Sequence, residues 1–276
     1  MNLENDTTEK RLNIWTYWES VDSKPMPAYL QLCLNSIKKT NPTANIHLVT
    51  PININQYIPQ IDVPLDDIKL KDSTKNPISL KTDYIRVRLL HDYGGLWLDI
   101  DCILLQKIEG MINQYLKSYS FVGMRKISKS KPYFTNNFMA SRARGNIVTE
   151  YLREMTRHIE KKVKKEEPFE WSEIGSAMLT SIIKENNQEN SFTLEESLIH
   201  PFDFTEHLLL EKPLEDIKIY SIISEKITKN TYCLMLYNAL ISEEFKCLSH
   251  EEILLSNTVI GHVLKNVLGP DNQSNL

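Results

Sequence analysis

Cysteine is scarce in this sequence, and its positions match no common metal or disulfide pattern. The four cysteines, Cys33, Cys102, Cys233 and Cys247, include no C-x-x-C pair and no histidine at zinc-site spacing. This set excludes the usual structural zinc modules and indicates reduced, buried thiols in a cytosolic protein.

Long apolar segments and an excess of basic charge are also missing. No run approaches the roughly eighteen apolar residues of a membrane-spanning helix, and residues 1–11 are too polar for a secretion signal. The formal net charge is -4, which argues against a nucleic-acid partner because phosphate binding needs a dominant basic field. We therefore expect a cytoplasmic protein that spans no membrane and binds no nucleic acid.

The first fifty residues have the pattern of a strand, a helix and a second strand. Residues 12–18 are β-prone, residues 28–41 place apolar side chains on one helical face, and residues 45–50 are β-prone again. Short connections between such elements predict a βαβ unit and hence a parallel sheet covered by helices. Further helices are predicted at 146–168, 172–186 and 249–268.

A helix over residues 79–93 is predicted to end at the Gly94-Gly95 pair, which is a strong stop signal. Within it, Asp83 and Arg86 are three residues apart, so both project from the same face. They are therefore close enough to contact one ligand or each other.

Residues 96–105 are predicted as one strand after the Gly-Gly pair. Alternation along it would place Trp97, Asp99 and Asp101 on one side, opposite the apolar residues. A buried carboxylate pair is costly unless a cation or hydrogen-bond donors compensate it, and Mg²⁺ or Mn²⁺ suits such oxygen ligands. From the residues alone, a metal and ligand site and a salt-bridged surface both remain open.

The stretch TDYIRVRLLHDYGGLWLDID, residues 82–101, resembles the sugar-binding region with a D-x-D motif of the glycosyltransferase family 32 type. That region is shared by bacterial capsular polysaccharide synthesis proteins and clostridial glucosylating toxins. The earlier IWTYWES and PAYLQLCLNSIKKTNP are similar to the amino-terminal part of the capsular branch. The resemblance is specific over residues 12–105 and faint beyond about residue 145.

The resemblance implies a GT-A (Rossmann-like) nucleotide-sugar-binding fold of the α/β class, with a mostly parallel central sheet and additional C-terminal helices. Residues 1–276 would form one domain, with a donor-binding half at 12–105 and an acceptor half at 106–276. The implied activity is metal-dependent, retaining transfer of a hexose from a UDP-sugar to a surface glycan or lipid-linked saccharide in bacterial capsule synthesis. The alternatives are a toxin-like protein glycosyltransferase and a non-catalytic glycan-binding or scaffold protein.

The resemblance also implies roles for the charged residues of the motif. Asp101 would coordinate Mn²⁺ or Mg²⁺, and Asp99 would contact the donor ribose and water around the metal. Asp83 and Arg86 would act as catalytic and donor-binding residues at the sugar and diphosphate.

Aromatic and amide residues are further candidates for donor binding. Trp15 lies where the family places an aromatic that stacks on uracil, although it could equally be a core residue. Trp97 replaces the tyrosine of the family's G-G-x-Y-x-D. Asn136 and Asn137 suit sugar hydroxyls because amides both donate and accept, the alternative being a plain turn.

Three residues of the second half complete the expected site. Glu173, near a Gly-containing helix start, is expected to face the anomeric carbon unless it is an ordinary first-turn acid. Lys246 is expected to bind diphosphate, and His250 is expected to ligate the metal in competition with other histidines of this half.

A basic run on the predicted helix 146–168 suggests a membrane partner. If the acceptor is lipid-linked, this helix could hold the enzyme at an anionic inner membrane face; the alternative is a solvated surface. The residues concerned are Arg153, Arg157, Lys161, Lys162, Lys164 and Lys165.

Overall fold

The computed structural model describes residues 11–20, 24–74, 76–128, 131–186, 190–203 and 205–269. Both ends of the predicted 1–276 domain therefore lie outside the described residues. The strands are β1 Asn13–Tyr17, β2 Asn45–Val49, β3 Gly95–Leu98, β4 Cys102–Leu104, β5 Phe121–Ser128, β6 Lys131–Ser141, β7 Ser191–Leu194 and β8 Cys233–Met235. The α-helices are α1 Ala28–Thr40, α2 Ile78–Tyr93, α3 Glu109–Ser118, α4 Asn146–Lys164, α5 Ser176–Glu185, α6 Glu196–Ile199, α7 Ile217–Lys226, α8 Glu243–Lys246, α9 His250–Leu255 and α10 Val259–Leu268.

Six of the described strands form one sheet in the order β2-β1-β3-β6-β5-β7. Strand β1 is parallel to β2 and β3, and β5 is parallel to β7, whereas β6 runs antiparallel to β3 and β5. The predicted α/β class with a mostly parallel central sheet is therefore confirmed. Helices α7 to α10 supply the additional C-terminal helices.

The predicted βαβ unit is present at the start of the described chain. Helix α1 buries the apolar face expected from its sequence, including Leu30, Cys33 and Ile37. It ends at Asn41, whose N–H donates to the Ile37 carbonyl, directly before a proline that cannot continue the helix.

The Gly-Gly pair ends α2 and lets the chain enter β3 without a loop. Gly94 and Gly95 both have positive φ, at 68° and 107°. A Cβ on Gly95 would lie 2.3 Å from the Asn13 carbonyl oxygen of β1. Glycine is therefore required here, because β3 approaches the backbone of its neighbour too closely for a side chain.

The prediction of one continuous strand over residues 96–105 is wrong. Strand β3 belongs to the main sheet, whereas β4 pairs antiparallel with β8 in a separate two-stranded sheet. Asp99 and Asp101 lie on the turn between them, where the Cys102 N–H donates to the Asp99 carbonyl. The chain turns here because β3 pairs with β1 and β6, whereas β4 pairs with β8.

Three predicted helices also have different bounds, and the first of them, α4, ends at Lys164 and not at residue 168. Residues 249–268 form two helices, because Thr258 accepts from the Gly261 N–H and caps a new helix after the break at Ser256. Helix α5 begins at Ser176 and not near residue 172. Among the described helices, none combines the length and the apolar character needed to cross a membrane.

Candidate functional site

The acidic turn lies at the carboxyl edge of the parallel strands. Strand β3 ends one residue before Asp99, and its neighbour β1 ends at Tyr17 on the same edge. Strand β6 arrives antiparallel and brings Asn137 to this edge, where its carbonyl accepts from the Asp99 N–H at 3.1 Å. Open α/β sheets bind ligands at this edge, so the topology favours a binding site here.

Arg86 connects the helix to the acidic turn. It is buried, with one terminal nitrogen 3.1 Å from Asp99 Oδ1 and 3.4 Å from Asp83 Oδ1. The other terminal nitrogen donates to the Asn136 carbonyl, and the guanidinium lies 5.0 Å from the Trp97 ring centroid. The predicted proximity of Asp83 and Arg86 is therefore present, and both lie beside the D-x-D turn.

Asp83 is enclosed by β6 and the start of α5. Its Oδ1 accepts from Asn136 Nδ2 at 2.7 Å, and the Asn136 amide oxygen in turn accepts from Ser176 Oγ at 3.1 Å. Gly175 passes so close that a Cβ there would lie 2.7 Å from Asp83 Oδ2. The predicted Asn136 is thus part of the site, and the second half of the chain supplies its wall.

Asp101 is held from the C-terminal part of the chain. Its Oδ2 accepts from the Asn238 N–H at 2.6 Å, and its carbonyl accepts from the Leu236 N–H at 2.9 Å. Burial, and then the charge of Asp99, raises the pKa of Asp101 to about 6. The folded chain thus brings two carboxylates together at a free-energy cost.

The site chemistry fits a divalent cation. Burial raises the pKa of Asp99, and burial together with the charge of Asp99 raises that of Asp83 to about 6, despite the opposing effect of Arg86. Asp83 and Asp99 share the guanidinium of Arg86, and Asp101 adds a third carboxylate, so a hard cation at the turn would relieve the remaining negative charge. The described residues contain no cluster of three His, Cys, Asp or Glu side chains that would suffice alone. A ligand's phosphate or water would have to complete the coordination.

The raised pKa of Asp83 predicts a pH dependence of stability. A carboxyl whose folded-state pKa exceeds its unfolded value stabilises the fold at low pH, and this contribution is lost as pH rises through about 6. Between pH 5 and pH 7 in EDTA, Asp83 should account for a loss of about 1 kcal/mol of unfolding free energy. In urea denaturation, the unfolding free energy of Asp83→Asn should therefore fall by about 1 kcal/mol less than that of wild type between these two pH values.

The exposed helix cap Asp216 provides the control for this experiment. Its side chain accepts from the Lys218 N–H at the start of α7, and asparagine caps helices equally well. Asp216→Asn should therefore keep the wild-type slope. Equal slopes for Asp83→Asn and wild type would contradict the prediction.

The two tryptophans predicted at the site have different surroundings. Trp97 is buried, and its Nε1 donates to Asp99 Oδ1 at 2.8 Å, so the indole orients that carboxylate. Trp15 is 1% exposed, with His47 stacked on it at a centroid distance of 4.1 Å and its Nε1 donating to the Gly94 carbonyl. Other side chains therefore cover the Trp15 ring, as expected for a core aromatic residue and not for a residue that stacks on a base.

Glu173 is engaged by helix α4. Its carboxylate accepts from Lys162 Nζ at 2.8 Å and lies 2.7 Å from His158 Nε2. Although burial opposes it, the Lys162 contact lowers the pKa of Glu173. The residue anchors the segment that leads to Gly175, in place of the expected position facing a sugar.

The structure does not bring Lys246 and His250 to the acidic turn. Lys246 Nζ pairs with Glu243 at 2.7 Å within α8. His250 is exposed at the first position of α9, outside any three-ligand cluster of the described residues. Neither residue makes a hydrogen bond or an ion pair with Asp99 or Asp101 within the described part of the chain.

Two features at this edge were missed in the sequence. Trp18, the residue after β1, is only partly buried, and its N–H donates to the Val49 carbonyl at the end of β2. A cavity of about 520 Å³ at this edge is bordered by Tyr17 and Lys81, whereas Trp18 packs toward α1 and the C-terminal helices. Strand ends are the ligand-binding positions of such sheets, so the position of Tyr17 at the end of β1 was the available signal.

The basic surface predicted on α4 is interrupted by ion pairs. Arg153 and Arg157 both pair with Glu154, and Lys162 is buried against Glu173. Lys161, Lys164 and Lys165 remain exposed. Contact with an anionic membrane therefore stays a prediction, with a smaller basic patch than the sequence suggested.

Similarity to known proteins was found at the levels of family, sequence and structure. A family model described as "Capsular polysaccharide synthesis protein" matches residues 1–240. Glycosyltransferase afumC of Aspergillus fumigatus is 25% identical in an alignment over 158 residues, with a coverage of 52% of this chain and 39% of that protein, so the chain spans about two fifths of this relative. A structure of galactosyltransferase LgtC in complex with donor and acceptor sugar analogues aligns with a TM-score of 0.49 and 9% identity, over 92% of this chain and 96% of that chain. The PaToxG glycosyltransferase aligns with a TM-score of 0.44 and 17% identity, over 64% and 69% respectively.

Proposed function

Because the chain belongs to the capsular polysaccharide synthesis protein family, we propose that it is a metal-dependent, retaining glycosyltransferase of the GT-A type. It would transfer a hexose from a UDP-sugar to a surface glycan or a lipid-linked saccharide. The observation that supports this most is the acidic turn of Asp99 and Asp101 at the carboxyl edge, joined to Asp83 through Arg86.

The acidic turn is proposed to hold the donor diphosphate through a cation. When bound, Mn²⁺ or Mg²⁺ acts as a Lewis acid that stabilises the charge developing on the leaving nucleoside diphosphate. Asp101 is presented by the Asn238 N–H, and Asp99 is oriented by Trp97 Nε1 and Arg86. These contacts fix both carboxylates before a ligand arrives, which lowers the entropy cost of binding.

The donor sugar is proposed to lie against Asp83 and β6. Asn137 Oδ1 is buried without a hydrogen-bond partner among the described residues, and so is Arg86 Nε. Buried polar atoms without partners are costly, and a sugar hydroxyl could satisfy the amide oxygen. Asp83 and Asn136, already bonded to each other, would orient the remaining hydroxyls.

The nucleoside is proposed to occupy the cavity on the β1 and β2 side of the turn. Trp15 is covered by His47, so the base is proposed to lie against residues that border the cavity, among them Tyr17 at the end of β1. Lys81, at the cavity border, pairs with Glu19 at 3.1 Å and lies two residues before Asp83 on α2. The cavity border and the donor-sugar residue Asp83 therefore belong to the same helix.

The proposal assigns different roles to the remaining predicted residues. Glu173 becomes a positioning residue that anchors the approach of Gly175 to Asp83. Lys246 and His250 are not included, because one is paired within α8 and the other is exposed on α9.

A nucleotide-sugar panel tests the proposed function. UDP-glucose, UDP-galactose, UDP-N-acetylglucosamine and their GDP counterparts would be added with MnCl2 or with EDTA, and the melting temperature would be measured. A ligand at 100 times its Kd stabilises the native state by about 2.7 kcal/mol. For a chain of this size, at least one UDP-sugar should then raise Tm by several degrees, about 5 °C.

Release of the nucleoside diphosphate, measured in the same samples, separates the alternatives. Metal-dependent UDP release supports the transferase. Binding without release in any condition would favour the glycan-binding or scaffold alternative. No thermal shift and no release with any donor would contradict the proposal.

A further inference from the structure

The turn after β8 contains a tyrosine in a left-handed backbone conformation. Tyr237 has φ 49°, a region that glycine and asparagine adopt far more easily because a bulky side chain clashes there. Asparagine occupies the very next position, 238. An aromatic residue kept in an unfavourable conformation indicates that its side chain has a task at this turn.

The left-handed residue lies between two backbone groups that bind the same aspartate. The Leu236 N–H donates to the Asp101 carbonyl at 2.9 Å, and the Asn238 N–H donates to Asp101 Oδ2 at 2.6 Å. The Tyr237 carbonyl accepts from the Leu240 N–H at 2.7 Å, which closes the turn. The change of direction at Tyr237 lets residues on both sides of it face Asp101.

The ring of Tyr237 packs against two buried histidines, whose own centroids lie 5.4 Å apart, so the three rings form one cluster. Its centroid lies 4.7 Å from that of His200 and 4.4 Å from that of His207. Burial, reinforced by Lys126, lowers the pKa of His200 to about 3 and that of His207 to about 4, so both rings are neutral near pH 7. Among the described residues, His200 Nε2 and both ring nitrogens of His207 lack hydrogen-bond partners. The histidines therefore contribute to this turn mainly through packing.

We propose that Tyr237 is a positioning residue for the metal-binding turn: its ring, packed against His200 and His207, maintains the backbone conformation that directs the Asn238 N–H to Asp101. This inference rests on the proposed function, which supplies the metal. It adds to the site a residue from outside the D-x-D region. The hydroxyl group is not required for this role, whereas the ring is.

Tyr237→Gly and Tyr237→Phe separate the backbone from the side chain. Glycine accepts the left-handed conformation but removes the ring, while phenylalanine keeps the ring and removes the hydroxyl. Tyr237→Gly should lower the hydrogen-exchange protection of peptides covering residues 233–241 about tenfold. It should also weaken Mn²⁺ binding, measured by electron paramagnetic resonance of free Mn²⁺, by about tenfold, as expected when an outer-shell partner is lost. In Tyr237→Phe, both the exchange protection and the Mn²⁺ affinity should stay within about twofold of wild type.

Glu166→Gly is the matched control. Glu166 also has a positive φ, at 57°, and it is exposed after the end of α4. This variant should change neither the exchange at residues 233–241 nor Mn²⁺ affinity.

Several outcomes would overturn the positioning role of Tyr237. Unchanged exchange and Mn²⁺ affinity in Tyr237→Gly would overturn it, and so would a lower Tm with unchanged Mn²⁺ affinity. Equal weakening in Tyr237→Phe would show that the hydroxyl acts directly, which also overturns it. If wild type bound no Mn²⁺, the metal in the proposed function would be wrong, while exchange at residues 233–241 would still decide whether Tyr237 holds the turn.

Discussion

Asp101→Asn should reduce metal-dependent turnover of the nucleotide sugar by about a thousandfold while leaving the protein folded. A Lewis-acid metal supplies several kcal/mol of transition-state stabilisation, and about 4 kcal/mol corresponds to three orders of magnitude in rate. The amide oxygen of asparagine can still accept from the Asn238 N–H, so the turn should persist. Burial and the repulsion from Asp99 raise the pKa of Asp101, and removing the charge relieves both, so Tm without metal should stay equal or rise.

The measurement is the initial rate of nucleoside diphosphate release at saturating donor, titrated with MnCl2, together with thermal denaturation in EDTA. Asp216→Asn makes the same chemical change at an exposed helix cap and should retain wild-type rate and Tm. A rate within tenfold of wild type for Asp101→Asn would refute a metal-binding role for this carboxylate.

Arg86→Met should cost about 3 kcal/mol of unfolding free energy, the largest stability effect we expect from a single residue of the site. Methionine keeps the apolar contact with Trp97 but leaves Asp83 and Asp99 without their shared cation. Removing one partner of a buried ion pair typically costs about 3–5 kcal/mol. The raised pKa of Asp83 lets that group take up a proton, which places the expectation at the lower end.

Arg88→Met on the same helix is the control for urea denaturation at pH 7. Arg88 pairs with Asp92 at 2.6 Å and with Asp62 at 3.1 Å, and its own side chain is 20% exposed, compared with 6% for Arg86. Such pairs contribute below about 1 kcal/mol. Adding Asp83→Asn to Arg86→Met should recover part of the lost stability. Similar costs for the two arginine variants would contradict the central position of Arg86.

The parts of the site that follow from local spacing could be predicted from the sequence. Asp83 and Arg86 share a helix face because they are three residues apart, and the Gly-Gly pair ends that helix. The first βαβ unit follows from short-range hydrophobic patterns in the same way. These features depend on residues within one or two turns, which the sequence displays directly.

The parts that depend on distant partners could not be predicted in this way. The apolar alternation of residues 96–105 continues across the acidic turn, so it does not reveal that β4 leaves the main sheet for β8. Trp15 and Trp18 lie in one short motif, and only the structure shows that His47 covers the first while the second packs against a different part of the core. Asn238 binds Asp101 from 137 residues away, without a motif of its own.

The short sheet of β4 and β8 determines how this protein can be divided or recombined. A fragment ending before residue 233 would keep the whole sequence of residues 82–101 but lose the two N–H groups that hold Asp101. Chimeras between relatives should therefore exchange residues 95–104 together with residues 233–241. Swapping the D-x-D segment alone would join an acidic turn to a strand that evolved with a different partner.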